Sequence, residues 1–216
     1  MNRKEIKELA KTKIKGNLWK LLWPALAIGA VEGILSSLFT PKDMIVNNLY
    51  AASTTIPKMP IGNALILILI GLVCGIAMIA YKKYVLNFTR EGKCEFNDII
   101  NCMKEKWVNI LVSEILVFII VYVGTLLLVV PGIILAFAYS MVTYLVVDTN
   151  LGATDAMKKS REMMKGYKWD YFVFCLSFIG WGLLVPFTLG LLLIWLVPYM
   201  EVAEAIYYDR LKELKK

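Results

Sequence analysis

Apolar runs of membrane-spanning length dominate the chain. An α-helix rises about 1.5 Å per residue, so about 20 apolar residues cross a hydrocarbon core of about 30 Å. Segments 21–39, 61–81, 108–130, 171–189 and 190–208 pass that test or nearly so. A sixth run, 133–147, is shorter and follows 108–130 after Pro131-Gly132, a strong turn signal. Since 115–147 is too long for one crossing, it reads as a helical hairpin. The same logic splits 171–208 near Pro186, Thr188 and Gly190. The pattern predicts an all-α polytopic membrane protein with six transmembrane helices in three hairpins. Membrane strands are about 10 residues long and alternate apolar with polar, and these runs do not. Composition agrees: 59% of the 216 residues are hydrophobic and 19% charged. So short a chain cannot bury that much apolar surface by itself, and disorder needs low hydrophobicity.

Charge sets the orientation. The net charge is +7, from 24 Lys and Arg against 17 Asp and Glu. Of those bases, 22 fall before the first span, in 82–107, in 148–170 and in the C-terminal tail. Only Lys42 and Lys58, in loop 40–60, lie on the other side. Lys and Arg are concentrated in cytoplasmic loops, so both termini are expected in the cytoplasm. The mixed-charge segment before the first span is unlike a cleaved signal peptide, so that span is expected to stay as an anchor in the cell membrane. Cys74 and Cys175 fall in spans and Cys94 and Cys102 on the cytoplasmic side, so no structural disulfide is expected.

The basic segments have a helical apolar period. Ile6, Leu9, Ala10, Ile14 and Leu18 recur in 3–20, and Phe96, Ile99, Ile100, Met103 and Trp107 in 95–107. In 154–166 the face is Ala156, Met157, Ser160, Met163 and Met164. Each hairpin is therefore expected to follow a cytoplasmic amphipathic interfacial helix, its apolar face in the acyl boundary and its lysines toward phosphates. The other arrangement packs that face on the protein's own spans. Each junction pairs a lysine with a tryptophan: Lys15 with Trp19, Lys104 with Trp107, Lys165 with Trp169. Tryptophan favours the headgroup level, and each base beside a span gains about 1 kcal/mol from an anionic leaflet. These six residues are the candidate lipid interface. Anionic lipid headgroups, and not nucleic acid, are the expected partner. One membrane domain then divides into units 1–93, 94–148 and 149–216. They are either copies of one unit or separate placements obeying the same physics.

Little in the chain can carry chemistry. There is no histidine, hence no imidazole base and no His-based metal site. No phosphate-binding or dinucleotide motif is present, and no cofactor or metal is expected. The informative polar residues are acids inside apolar runs. Glu32 and Glu201 fall near the midplane of their spans, and Glu114 and Glu204 nearer the cytoplasmic boundary. Intramembrane acids point to function by default, here a proton or cation pathway through Glu32 and Glu201. The competing reading is a neutral glutamic acid hydrogen-bonded to a neighbouring helix. Asp148, at a span end, needs no special role. Gly71 and Gly75 form a small-xxx-small pair, which predicts a close helix contact.

Several short motifs belong together. They are Val130-Pro131-Gly132-Ile133-Ile134, Ala138-Tyr139-Ser140-Met141, Ser160-Arg161-Glu162-Met163-Met164-Lys165-Gly166, Thr188-Leu189-Gly190 and Trp195-Leu196-Val197-Pro198-Tyr199. Their order resembles the small bacterial integral membrane proteins catalogued as domain of unknown function 975. The stretch is also distantly similar to the membrane domain of some glycerophosphodiester phosphodiesterases, whose catalytic histidines have no counterpart here. The resemblance implies a bacterial multi-pass membrane protein and imports no activity.

The first expectation is a non-enzymatic membrane protein acting at the anionic inner leaflet, by bilayer organisation, stress protection or binding a membrane-protein partner or a second copy of itself. The second is a small proton- or cation-coupled transporter or channel using the intramembrane glutamates. A lipid-modifying enzyme would need clustered acids, such as Glu204 with Asp209 or Asp148 with Asp170, and nothing in their spacing demands that.

Overall fold

The computed structural model describes residues 2–41 and 60–215. Nearly all of loop 40–60, with Lys42 and Lys58, lies outside the described residues. Within them the chain is helical: α1 (Arg3–Ile14), α2 (Leu18–Phe39), α3 (Ile61–Glu91), α4 (Phe96–Leu127), α5 (Val129–Tyr139), α6 (Val142–Asp148), α7 (Ala153–Met163), α8 (Lys168–Gly182) and α9 (Leu193–Leu214). Five stretches are long and apolar enough to cross a membrane: Leu18–Phe39, Ile61–Glu91, Phe96–Leu127, Val129–Asp148 and Lys168–Thr188. At 22 residues α9 has spanning length. From Glu201 onward it carries Glu201, Glu204, Asp209, Arg210, Lys212 and Glu213, so its composition sets it apart from those five.

Several boundaries depart from the sequence reading. Helix α3 does not end at Tyr81 but runs on to Glu91, where left-handed Gly92 (φ 70°) closes it through an N–H bond to the Phe88 carbonyl. Segment 95–107 is not a separate interfacial helix. It is the first part of α4, started by a reciprocal Glu95/Asp98 capping box. No glycine or proline interrupts the chain from Phe96 to Val123, so the helix propagates.

The break comes at extended Leu128 (φ −158°, ψ 136°), ahead of Pro131-Gly132. Pro131 sits in the first turn of α5, where a missing N–H costs nothing. A Cβ on Gly132 would lie 2.7 Å from Thr125 Cα, and one on Gly124 2.6 Å from Leu135 Cδ1. These two glycines let α5 lie directly on α4. Gly71 and Gly75 have nothing within 4 Å of such a Cβ, so the close contact expected there is not made. The expected run 133–147 is two helices, α5 and α6, interrupted at Ser140-Met141. The chain does turn at the expected place between α8 and α9, through the 3-10 turn Pro186–Thr188 and left-handed Leu189 and Gly190.

The core lies at one end of the molecule. It combines the C-terminal parts of α3 and α9, all of α6, and the starts of α4 and α8, with Tyr81, Tyr144, Tyr199, Tyr207 and Tyr208 fully buried. At the other end the side chains point outward: Leu38 is 71% exposed and Phe187 85%. Aromatic rings fill the space between α8 and α9, with Phe174 and Tyr207 centroids 4.9 Å apart and Phe178 and Tyr199 5.4 Å apart. Each such pair adds about 0.5–1.5 kcal/mol beyond its buried area.

Helix α1 packs along α9, burying Ile6, Ala10 and Ile14. Helix α7 likewise buries Ala156, Met157, Ser160 and Met163. Ile99 and Cys102 of α4 do the same. While Leu9, Phe96 and Trp107 of the same faces stay exposed, these buried residues are taken up by the protein and are not free for the acyl boundary. Burying them on protein also satisfies the helices' need for an apolar partner.

Candidate functional site

Helices α3 and α9 run parallel, with charges in register. Lys82 meets Glu201 and Glu204, and Arg90, two turns further along α3, meets Asp209. Glu201, Glu204, Tyr208 and Lys212 recur every three or four residues, so one face of α9 presents them all. Tyr144 and Asp148 stand one turn apart on α6 and face the same row.

The upper cluster is centred on Glu204. Lys82 Nζ donates to Glu204 Oε2 at 2.8 Å and to Glu201 Oε2 at 3.4 Å. The Tyr144 hydroxyl donates to Glu204 Oε2 at 3.1 Å and the Tyr171 hydroxyl to Oε1 at 2.5 Å. Lys82 Nζ also lies 4.7 Å from the Tyr144 ring centroid, a cation–π geometry. The side chains of Lys82, Glu201 and Glu204 are 18%, 23% and 25% exposed. One lysine is shared between the two acids, and the phenols add two further donors to Glu204.

The lower cluster is centred on Asp148, whose side chain is 4% exposed. It accepts from Arg90 at 2.5 and 3.1 Å, Lys212 at 2.5 Å and Tyr208 at 3.0 Å. Arg90 also holds Asp209 through Nε and Nη2, so one guanidinium forks onto two carboxylates. Asp148 is thus a hub joining α3, α6 and α9, and not an idle end residue. The acid pairs weighed for lipid chemistry are taken up as well. Asp209 and Asp148 share Arg90, and Asp170 accepts from Tyr207 at 3.2 Å and lies 3.6 Å from Arg3.

Side chains from α1 and α3 tie onto the backbones of α8 and α2. Tyr81 and Tyr84 donate to the Leu21 and Lys20 carbonyls at 2.7 and 2.8 Å. Lys7 donates to the Ser177 carbonyl at 3.3 Å, with Nζ 4.7 Å from the Phe178 ring. Burial, with Lys11 one turn on, pulls the Lys7 ammonium below its ordinary pKa.

Glu32 and Glu201 are not brought together. Tyr81 ties the Lys82 level of α3 to Leu21, so Glu201 lies level with the start of α2. Glu32 stands eleven residues further along α2, about 16 Å at the helical rise, and is exposed. The two are not at a common depth. Glu114, half-buried on α4, opens into a groove between α4 and α5–α6.

At the junctions Lys15, Lys104 and Lys165 are exposed. Trp19, Trp107 and Trp169 are 69%, 51% and 74% exposed. Sequence reasoning missed Lys82, Arg90, Tyr144 and Tyr171. It placed the two bases in a connecting segment, although a spacing of eight residues puts them on one face of a helix that continues past Tyr81. Among the described residues no three Cys, Asp or Glu side chains are placed to hold a metal ion.

Helices of spanning length, tied at one end by internal ion pairs, make this a multi-pass membrane protein. Residues 109–215 match the family described as Protein of unknown function (DUF975), and over that stretch the chain belongs to this family. The matched region includes Tyr144, Asp148, Tyr171, Glu201 and Glu204 and leaves out Lys82 and Arg90. No curated protein and no solved structure matches the chain, so the likeness to the phosphodiesterase membrane domain has no support.

Proposed function

We propose that the protein is a non-enzymatic, six-span protein of the bacterial cell membrane that acts at the anionic inner leaflet, with both termini cytoplasmic. The observation that carries this is the exposure of Trp19, Trp107 and Trp169 beside exposed Lys15, Lys104 and Lys165. Each tryptophan adjoins a residue tied into the packed end: Lys20 accepts from Tyr84, Lys106 donates to the Thr149 carbonyl, and Asp170 accepts from Tyr207. Three indoles held at one end suit the headgroup level, and the lysines suit lipid phosphates. Contact with lipid is made by these Lys–Trp pairs, since the apolar faces of α1 and α7 are already mostly packed on protein. The parallel register of α3 and α9 supports six spans. Helix α9 runs in the same direction as α3, as the last helix of three hairpins should.

The test is reconstitution in vesicles carrying brominated lipids. Brominated anionic lipid is expected to quench tryptophan fluorescence more than its zwitterionic counterpart at equal mole fraction. The excess should vanish in the Trp19→Phe, Trp107→Phe, Trp169→Phe triple variant. Equal quenching by both lipids would overturn the proposal.

A further inference from the structure

The groove between α4 and α5–α6 has a volume of ≈510 Å³, within the usual range for small-molecule sites of about 300–1,000 Å³. Glu114, Phe118, Tyr122 and Thr125 line it from α4, and Tyr139 and Thr143 from the facing helices. From Glu114 to Thr125 it runs about 16 Å along the helix axis. Glu114 is its only charged lining residue among those described. On the neighbouring helix α3, Lys82 is held by Glu201 and Glu204. The Phe118 and Tyr122 rings are stacked, 5.8 Å between centroids and 15° between planes, and are both exposed along the groove. A carboxylate beside aromatic faces attracts organic ammonium ions, because the ring quadrupole and the anion both favour positive charge.

We propose that this groove binds an amphipathic organic monocation, its ammonium head at Glu114 and the Phe118–Tyr122 rings and its hydrocarbon tail along α4 toward Thr125. Charge selects this ligand over a zwitterionic aminophospholipid, whose phosphate would find no cationic partner in the lining. The site is separate from the Lys–Trp pairs and does not depend on their contact with the anionic leaflet.

Calorimetric titration of the full chain in phosphatidylcholine nanodiscs with decyltrimethylammonium, below its micelle concentration, tests the site. Binding is expected to be saturable and to weaken about tenfold in Glu114→Gln, as loss of a charge-assisted contact predicts. Phe118→Leu and Tyr122→Leu, exposed positions that leave the core intact, should weaken it about threefold each. Glu32→Gln should leave it unchanged. Non-saturable binding, equal affinity in Glu114→Gln and wild type, or insensitivity to both aromatic variants would overturn the proposal. Displacement of the probe by phosphatidylethanolamine in the disc would overturn the choice of a monocation over a lipid headgroup.

Discussion

The Lys82 ammonium lies 2.8 Å from the Glu204 carboxylate, across 122 residues of sequence. Both side chains are less than one-third exposed, so either partner alone would leave a poorly solvated charge. Lys82→Met is therefore expected to destabilise the protein by about 3–5 kcal/mol. The check is thermal unfolding in mild detergent followed by circular dichroism. Adding Glu201→Gln and Glu204→Gln should recover part of the loss, because the uncompensated acids are then neutral.

Asp148 unites Arg90 and Lys212. Removing the acid and Lys212 together should cost less than the separate losses added. A double-mutant cycle of Asp148→Asn and Lys212→Met is expected to give a coupling of about 1–3 kcal/mol. Arg90→Lys should also destabilise, since a lysine cannot fork onto Asp148 and Asp209 at once.

Glycines separate close approach from open space. Gly132→Val forces a side chain onto Thr125 and should cost about 1–3 kcal/mol through overpacking. Gly71→Ala and Gly75→Ala meet nothing and should be neutral or stabilising by up to about 1 kcal/mol. The same melting measurement ranks all three.

Helix α1 is held by Ile6, Ala10 and Ile14 on one face and by Lys7 on another. Ile6→Asp removes an apolar contact and buries a charge, and should release α1 from α9. Limited trypsin digestion in detergent should then cut within residues 3–15 several-fold faster than in wild type, while the remaining helices stay protected. Unchanged digestion would mean that Lys7 and the other contacts hold α1 without Ile6.

Hydrophobic run length and the absence of period-two alternation made the helical, membrane-spanning character legible from sequence, because each such helix satisfies its own backbone in lipid. The turn at Thr188–Gly190 was legible for a local reason too, since few residues other than glycine accept a positive φ. The Lys–Trp junctions could be picked out because they recur at helical spacing. Only the tertiary structure decided what the charged residues do. Lys82 and Arg90 looked like loop bases until α3 ran past Tyr81 and brought them beside α9. Glu201 looked level with Glu32 until its partner Lys82 placed it beside the start of α2. The apolar faces of α1 and α7 carry the pattern of lipid-facing helices, and periodicity cannot say whether oil or protein covers them. These outcomes depend on register between helices far apart in sequence, which ion-pair and packing energies set and which no local pattern records.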